Sequence, residues 1–271
     1  MEHHSILYGP VNRLLIRLFG EPPVGRMSPD AAAFWFPDGK EAWIPDAALM
    51  GILVLLLFAV FLPLAARRYN KARPGGVQNF LEMLVDAIGS LLDDVIGHGA
   101  RKKYIWMIGS MAVFIGVSNL FGMFFFLTPP TAVFSSTLAL AVLSFFYFNW
   151  QGVRENGLFG YLRHFAGPSL MPERPSKILF IALLPAVLIF GALFFAIETI
   201  GNFARILSLS LRLFMNISGE HTVTGFFSGI LPILIPWPLM ILGLFTAFLQ
   251  AFIFVTLTSV YINLLTAHEE H

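Results

Sequence analysis

From Ala47 to Ala66 the chain carries no charged residue, and the run stops abruptly at Arg67 and Arg68. About 20 apolar residues at 1.5 Å rise each match the hydrocarbon core of a bilayer. In lipid every backbone N–H and C=O must be satisfied within the segment, which a helix achieves. The run therefore predicts a membrane-spanning helix. Tyr104–Leu127, ended by the breaker Thr128–Pro130, and Thr131–Trp150 read the same way. Ile178–Ile197 and Leu239–Leu265 are further apolar runs, separated by a mixed stretch over 198–229. Charged residues are 12% of the chain, against roughly 25% in soluble domains. The predicted class is an all-α polytopic membrane protein.

Residues 1–46 read as a polar segment outside the bilayer, and 47–271 as one membrane domain. The first long apolar run starts too late for a cleaved signal peptide. Within the N-terminal segment, "ILYGPVNRLLIRLFG" is amphipathic and suits a membrane surface. A net charge of +1 gives nucleic-acid binding no electrostatic support, and with no cysteine there is no thiolate or disulfide chemistry. Neither a cofactor nor a metal is expected. The terminal "HEEH" at 268–271 lacks the H-E-x-x-H spacing that sets two histidines on one helical face.

Orientation follows from the basic loops. Arg67, Arg68, Lys71, Arg73, Arg101, Lys102 and Lys103 lie in one, and Arg154, Arg163, Arg174 and Lys177 in another. Both loops are expected on the cytoplasmic side, with the N-terminus opposite. Inside the first loop, 80–97 has helical apolar periodicity with an acidic polar face of Glu82, Asp86, Asp93 and Asp94. It predicts an interfacial helix facing either water or a protein partner. The C-terminal third is ambiguous. Either 178–197 and 206–230 each cross, or 178–229 is one helix about 78 Å long, which must lie steeply inclined.

On a wheel of 100° per residue, Glu198, Asn202, Arg205, Arg212, Asn216 and Glu220 share an arc of about 80°. Leu207, Leu211 and Phe214 fall opposite, and His221 lies beside Glu220 but off the arc. Each charge at mid-bilayer costs on the order of 2.5–3.5 kcal/mol, so such a row faces protein or a water-filled cavity. A buried structural network, Glu198 with Arg205 and with Asn202 and Asn216 as bridging amides, is the bland reading; an ion path is the functional one. Glu198 with Arg205, and Arg212 with Glu220, are two turns apart, which predicts no tight contact within the helix. Arg212 is therefore expected to look outward to a partner. The last helix brings Gly243, Gln250, Phe254 and Tyr261 onto one face. Thr246 and Thr256 are expected to bond back to their own helix.

"SLSLRLFMNISGEH" at 208–221, followed by "LQAFIFVTLTSVYINLLTAHEEH" at 249–271, resembles subunit a of the F-type ATP synthase membrane sector. "VSNLFGMF" at 117–124 and "TLALAV" at 137–142 extend the resemblance, which runs from about Val77 to the C-terminus. It implies about five membrane-embedded helices, near 47–66, 104–127, 131–150, 178–229 and 239–265, the last two forming a long inclined hairpin. It also implies an interfacial helix near 80–97, a cytoplasmic C-terminus and a bacterial inner-membrane location. The implied partners are a ring of c subunits, peripheral-stalk b subunits and the rest of the synthase.

By position, Arg212 matches the family's essential arginine, which separates two half-channels. Asn216, Gln250 and Glu198 match polar positions of the ion path, with Glu198 toward the cytoplasm. Asn119 matches a polar position of the second span, with Asn202 and Arg205 as polar support. Met215 stands where the family usually has Gly. Where the family has one Glu or His, this chain has Glu220 and His221 together, and Gly243 stands where some members carry His or Glu. Proton is the expected ion and sodium the runner-up. A secondary transporter would predict related halves, and no repeat is visible. A purely structural scaffold would leave the polar stripe unexplained.

Overall fold

Long apolar runs and sharp Gly, Pro and Arg breaks give the chain its elements. The computed structural model describes residues 5–19, 22, 43–70, 75–124, 127–165, 177–228 and 236–266. In chain order these form α1 (Tyr8–Phe19), α2 (Asp46–Arg67), α3 (Gly76–Ile96), α4 (Ala100–Phe121), a 3-10 turn (Pro130–Ala132), α5 (Phe134–Phe165), α6 (Lys177–Ser228) and α7 (Pro236–Thr266). No strand occurs among the described residues, so the fold is all-α.

Among the described residues, four helices are long and apolar enough to cross a membrane: Asp46–Arg67, Ala100–Phe121, Ile189–Phe227 and Trp237–Thr266. The expected span over 131–150 lies on α5, which is not among them. Its polar residues lower its apolarity, and they point inward: Ser135, Thr137, Ser144 and Gln151 are buried. Leu143, Phe146 and Trp150 point outward. α4 stops at Phe121, where the Gly122 N–H bonds to the Asn119 carbonyl, rather than running to 127. α5 continues well beyond 150, through a reversal at Gly157 (φ 67°, ψ 166°), a conformation that essentially only glycine adopts.

α6 runs unbroken for 52 residues, so no turn separates 178–197 from 206–228. Its apolar portion of 39 residues is about 58 Å long, nearly twice the hydrocarbon thickness. It can stay in the membrane only by inclining.

α4 is the central post and α6 the outlying member: 44% of the α4 span is buried, against 6% for α6. One core cluster joins Leu92 of α3, Tyr104 and Ile108 of α4, Phe148 of α5, and Val255 and Ile262 of α7. A second joins Met111 and Ile115, Ala141, Leu209 and Leu213, and Phe254. Lipid is as apolar as leucine, so packing contacts and interhelical hydrogen bonds supply the cohesion, at about 0.6 kcal/mol per bond on average. Ser144 and Thr258 hydroxyls meet at 3.2 Å across α5 and α7. Asn156 donates to the Leu265 carbonyl at 2.6 Å, and Asn263 to the Val95 carbonyl at 3.0 Å.

α3 lies across the end of the bundle that carries Arg67, Arg68 and Arg101–Lys103, hereafter the basic end. The Arg101 side chain lies over Gly89 and pairs with Asp86. Part of the acidic face thus binds the chain itself. At the opposite end, Asn12 of α1 accepts from the Trp43 and Ile44 N–H groups at 3.0 and 3.1 Å. Asp46 accepts from the Ser5 N–H at 2.9 Å and the Thr128 hydroxyl at 3.0 Å. These bonds tie α1 and the 3-10 turn to the start of α2. The 268–271 tail lies outside the described residues.

Candidate functional site

α6 and α7 form an antiparallel pair in constant register. Moving along α6 toward Ser228, contacts step back along α7: Arg205 meets Tyr261, Asn216 meets Gln250, and Glu220 meets Gly243 and Thr246. The polar stripe runs along the flank of the α6 packing face, whose centre is Leu209, Leu213 and Ile217. Asn202 is turned inward and buried, while Asn216 sits at the open edge.

Toward the basic end the stripe is closed on itself. Arg205 Nη1 lies 3.1 Å from Glu198 Oε1 and donates to Asn202 Oδ1 at 2.8 Å. Its guanidinium lies 5.2 Å from the Tyr261 ring centre. The expectation that residues seven apart cannot meet is therefore corrected. Two extended side chains on one stripe close an axial rise of about 10.5 Å. The Glu198 contact is coulombic, since its angles do not meet hydrogen-bond geometry.

Toward the other end the polar groups cross to neighbouring helices. Glu220 turns away from Arg212 and lays its carboxyl over Gly243, where any Cβ would overlap its Oε1 atom. Thr246 Oγ1 lies 3.3 Å from Glu220 Oε2 and 3.0 Å from the Gly243 carbonyl; its one proton serves one of them at a time. Thr246 thus bonds back to its own helix, as Thr256 does to Phe252, but Thr246 also reaches Glu220. Asn216 donates to Gln250 Oε1 at 2.7 Å. Ser218 donates to the Ala132 carbonyl at 2.9 Å, and Thr131 to Asn119 Oδ1 at 2.7 Å.

Asn119 Nδ2, Ser118 Oγ and Gln250 Nε2 are buried without a hydrogen-bond partner among the described residues. The α4–α7 register, which sets Gly116 against Ala251, puts all three near one level. A buried orphan polar group costs about 1–3 kcal/mol, and internal water is the usual remedy. This layer is therefore chemically fitted to hold water.

Between the two polar clusters lies the dry layer of Met111, Ile115, Ala141, Leu209, Leu213 and Phe254. Arg212 sits at its edge, half-buried, with no hydrogen-bond or ion-pair partner among the described residues. The arrangement is two polar clusters offset along α6, an apolar layer between them, and a cation at the edge of that layer.

The His221 backbone continues α6; its side chain lies outside the described residues. Sequence reasoning passed over Ser118, Thr131, Tyr161 and Ser218. Ser218 falls near 200° on the α6 wheel, away from the stripe, because its bond goes to the 3-10 turn instead of α7. Thr131 was read only as the start of a span. The "TPPT" breaker, which begins nine residues after Asn119 and turns the chain back, is the sequence signal for this contact.

Residues 48–263 match the family described as ATP synthase A chain. The chain is 36% identical over 224 residues to ATP synthase subunit a of Geotalea uraniireducens, covering 83% of this chain and 88% of that protein. It is 37% identical over 212 residues to ATP synthase subunit a 3 of Pelobacter propionicus, covering 78% and 82%. It is also 34% identical over 223 residues to ATP synthase subunit a of a Sulfurihydrogenibium species, covering 82% and 98%.

Proposed function

The chain belongs to the ATP synthase A chain family, and on that premise we propose how it moves ions. As a bacterial membrane subunit of ATP synthase it takes part in ATP synthesis and ion transport alongside the rest of the complex. It performs no covalent chemistry of its own. In our reading it is the stator against which a ring of c subunits turns, held in place by peripheral-stalk b subunits. It offers that ring two offset half-channels. The basic end, with Arg67, Arg68, Arg101, Lys102, Lys103 and Arg154, faces the cytoplasm. The α1 end and the N-terminus face outward, and the C-terminus lies inside.

The outer half-channel is the compartment of Asn119, Asn216, Glu220, His221 and Gln250. The inner one is the compartment of Glu198, Asn202 and Arg205. A proton passing the outer compartment neutralises a ring carboxylate, which then tolerates lipid as the ring turns. Beside the inner compartment the carboxyl approaches Arg212 at the seal, whose charge favours the ionised form, and the proton leaves through the inner compartment. The same charge repels protons that would cross directly. Arginine suits the role because it stays protonated where lysine neutralises when buried. The membrane potential contributes about 2.3 kcal/mol per charge per 100 mV.

The observation that carries this reading is the unpartnered Arg212 at the apolar seal, beside an Arg205 already closed by Glu198. Arg212→Ala and Arg212→Lys are expected to abolish ATP-driven acidification of inverted vesicles, with the complex assembled. Wild-type pumping in either variant refutes the separator role. Repeating the assay with and without sodium distinguishes proton from sodium coupling.

A further inference from the structure

The last turns of α5 fold back on α5 and against the end of α7, beside the inner cluster, through three features. Gly157 reverses the backbone. Gly152 offers a bare surface: a Cβ there would meet the Tyr161 ring at 3.2 Å and Leu265 Cβ at 3.1 Å. Asn149 accepts the Tyr161 hydroxyl and is itself anchored by donating to the Phe145 carbonyl at 2.7 Å. Next to Asn149, the Phe148 ring lies 5.6 Å from Tyr261, the ring beneath Arg205. Tyr161 and Tyr261 pack against the same core cluster of Phe148, Ile262 and Leu265, and Tyr261 carries Arg205 on its face.

We propose that Tyr161 is a wall residue of the inner path, covering the Glu198–Asn202–Arg205 cluster from the basic end and setting how readily water reaches it. The ring is the part that shields, and the hydroxyl fixes its position through Asn149. Tyr161 is a positioning residue, since it acts on the solvation of the ion pair and touches no reacting atom. The inference rests on the inner half-channel proposed above, and adds to it a component from α5.

The test uses the absence of cysteine from the chain. Asn202→Cys is introduced into the assembled synthase in sealed vesicles of each orientation. An anionic, water-soluble thiol reagent is applied to one face at a time, and its rate of attachment is read by mass. With Tyr161 present, slow labelling from the cytoplasmic face is expected. Tyr161→Ala is expected to speed it about tenfold by removing the local cover. Tyr161→Phe, which keeps the ring, is expected to stay near the unaltered rate. Gly157→Ala strains the reversal while leaving Tyr161 in the chain. It is expected to act like Tyr161→Ala, and carries the decision if the alanine variant lowers complex level. Equal cytoplasmic labelling in all backgrounds overturns the wall and leaves the inner path standing. Labelling only from the outer face overturns the path, and the wall with it. A thiol unreactive from both faces in every background also overturns the wall.

Discussion

The inner and outer polar clusters sit on the same helix, yet they handle charge in opposite ways. The inner cluster compensates itself: Glu198 and Arg205 neutralise each other, and Tyr261 covers the cation. Among the described residues the outer cluster has no such pair: the Glu220 carboxyl faces a glycine and one threonine hydroxyl, and amide and hydroxyl atoms nearby lack partners. A permanent ion pair is stable without traffic and serves as a fixed electrostatic surface. A carboxyl with weak partners and room around it takes up and gives away a proton at lower cost. The two halves of one stripe thus differ in how their charges are partnered.

The strongest way to break this contrast is to remove the room. Gly243→Ala places a Cβ where the Glu220 carboxyl lies. That carboxyl is the free end of a flexible side chain, so the helices hold and the carboxyl moves. Misplacement by about 1 Å can cost up to 10²-fold in a positioned reaction, so ATP-driven pumping is expected to fall by at least about tenfold. ATP hydrolysis by the assembled complex should persist, measured in the same membranes. Unchanged pumping in Gly243→Ala would mean the ion does not pass Glu220 where it rests on α7.

A second change sharpens the contrast at the inner end. Glu198→Gln leaves Arg205 without its carboxylate. Breaking a fully buried pair costs about 3–5 kcal/mol; here the side chains are 25% and 17% exposed, so the loss is smaller. Complex level in membranes is expected to drop for Glu198→Gln and to recover in the double variant Glu198→Gln, Arg205→Gln. Pumping per complex is expected to stay low in both. If the double variant also restored pumping, Glu198 would be a structural counter-ion and nothing more.

The fold was largely legible because apolar length and basic breaks speak directly about bilayers. Arg67–Arg68 closes α2 within a residue of where the charges begin. Burial on α5 was harder to read, since Ser135, Thr137 and Ser144 reduce its apolarity while serving the interior. The α6 stripe is visible as a periodicity, and a structural network of Glu198 with Arg205 is one reading of it. A wheel measures angle alone and ignores how far an arginine reaches, so two turns looked too far for the contact that forms. Glu220 and Gly243 were each noticed, yet only tertiary register shows that one fills the space the other leaves. Tyr161 is not legible in the sequence because its position depends on a backbone reversal at Gly157, outside every long apolar run.

The mildest test concerns Asn216 and Gln250, where the outer cluster most resembles ordinary helix packing. Their bond joins α6 to α7 at 2.7 Å, while Gln250 Nε2 is buried without a partner among the described residues. If the pair only holds helices together, replacing both with leucine removes the orphan and is nearly neutral or stabilising. If it orders water beside Arg212, the complex survives and its rate drops. We expect the second outcome: Gln250→Leu slows vesicle acidification about 2- to 10-fold, the rate equivalent of one hydrogen bond. Adding Asn216→Leu should slow it little further, because the two amides act as one unit. Multiplying losses would mean that each amide holds water on its own. An unchanged rate per complex would place the pair with the inner ion pair's stabilising role, and shrink the outer path to Glu220 and His221.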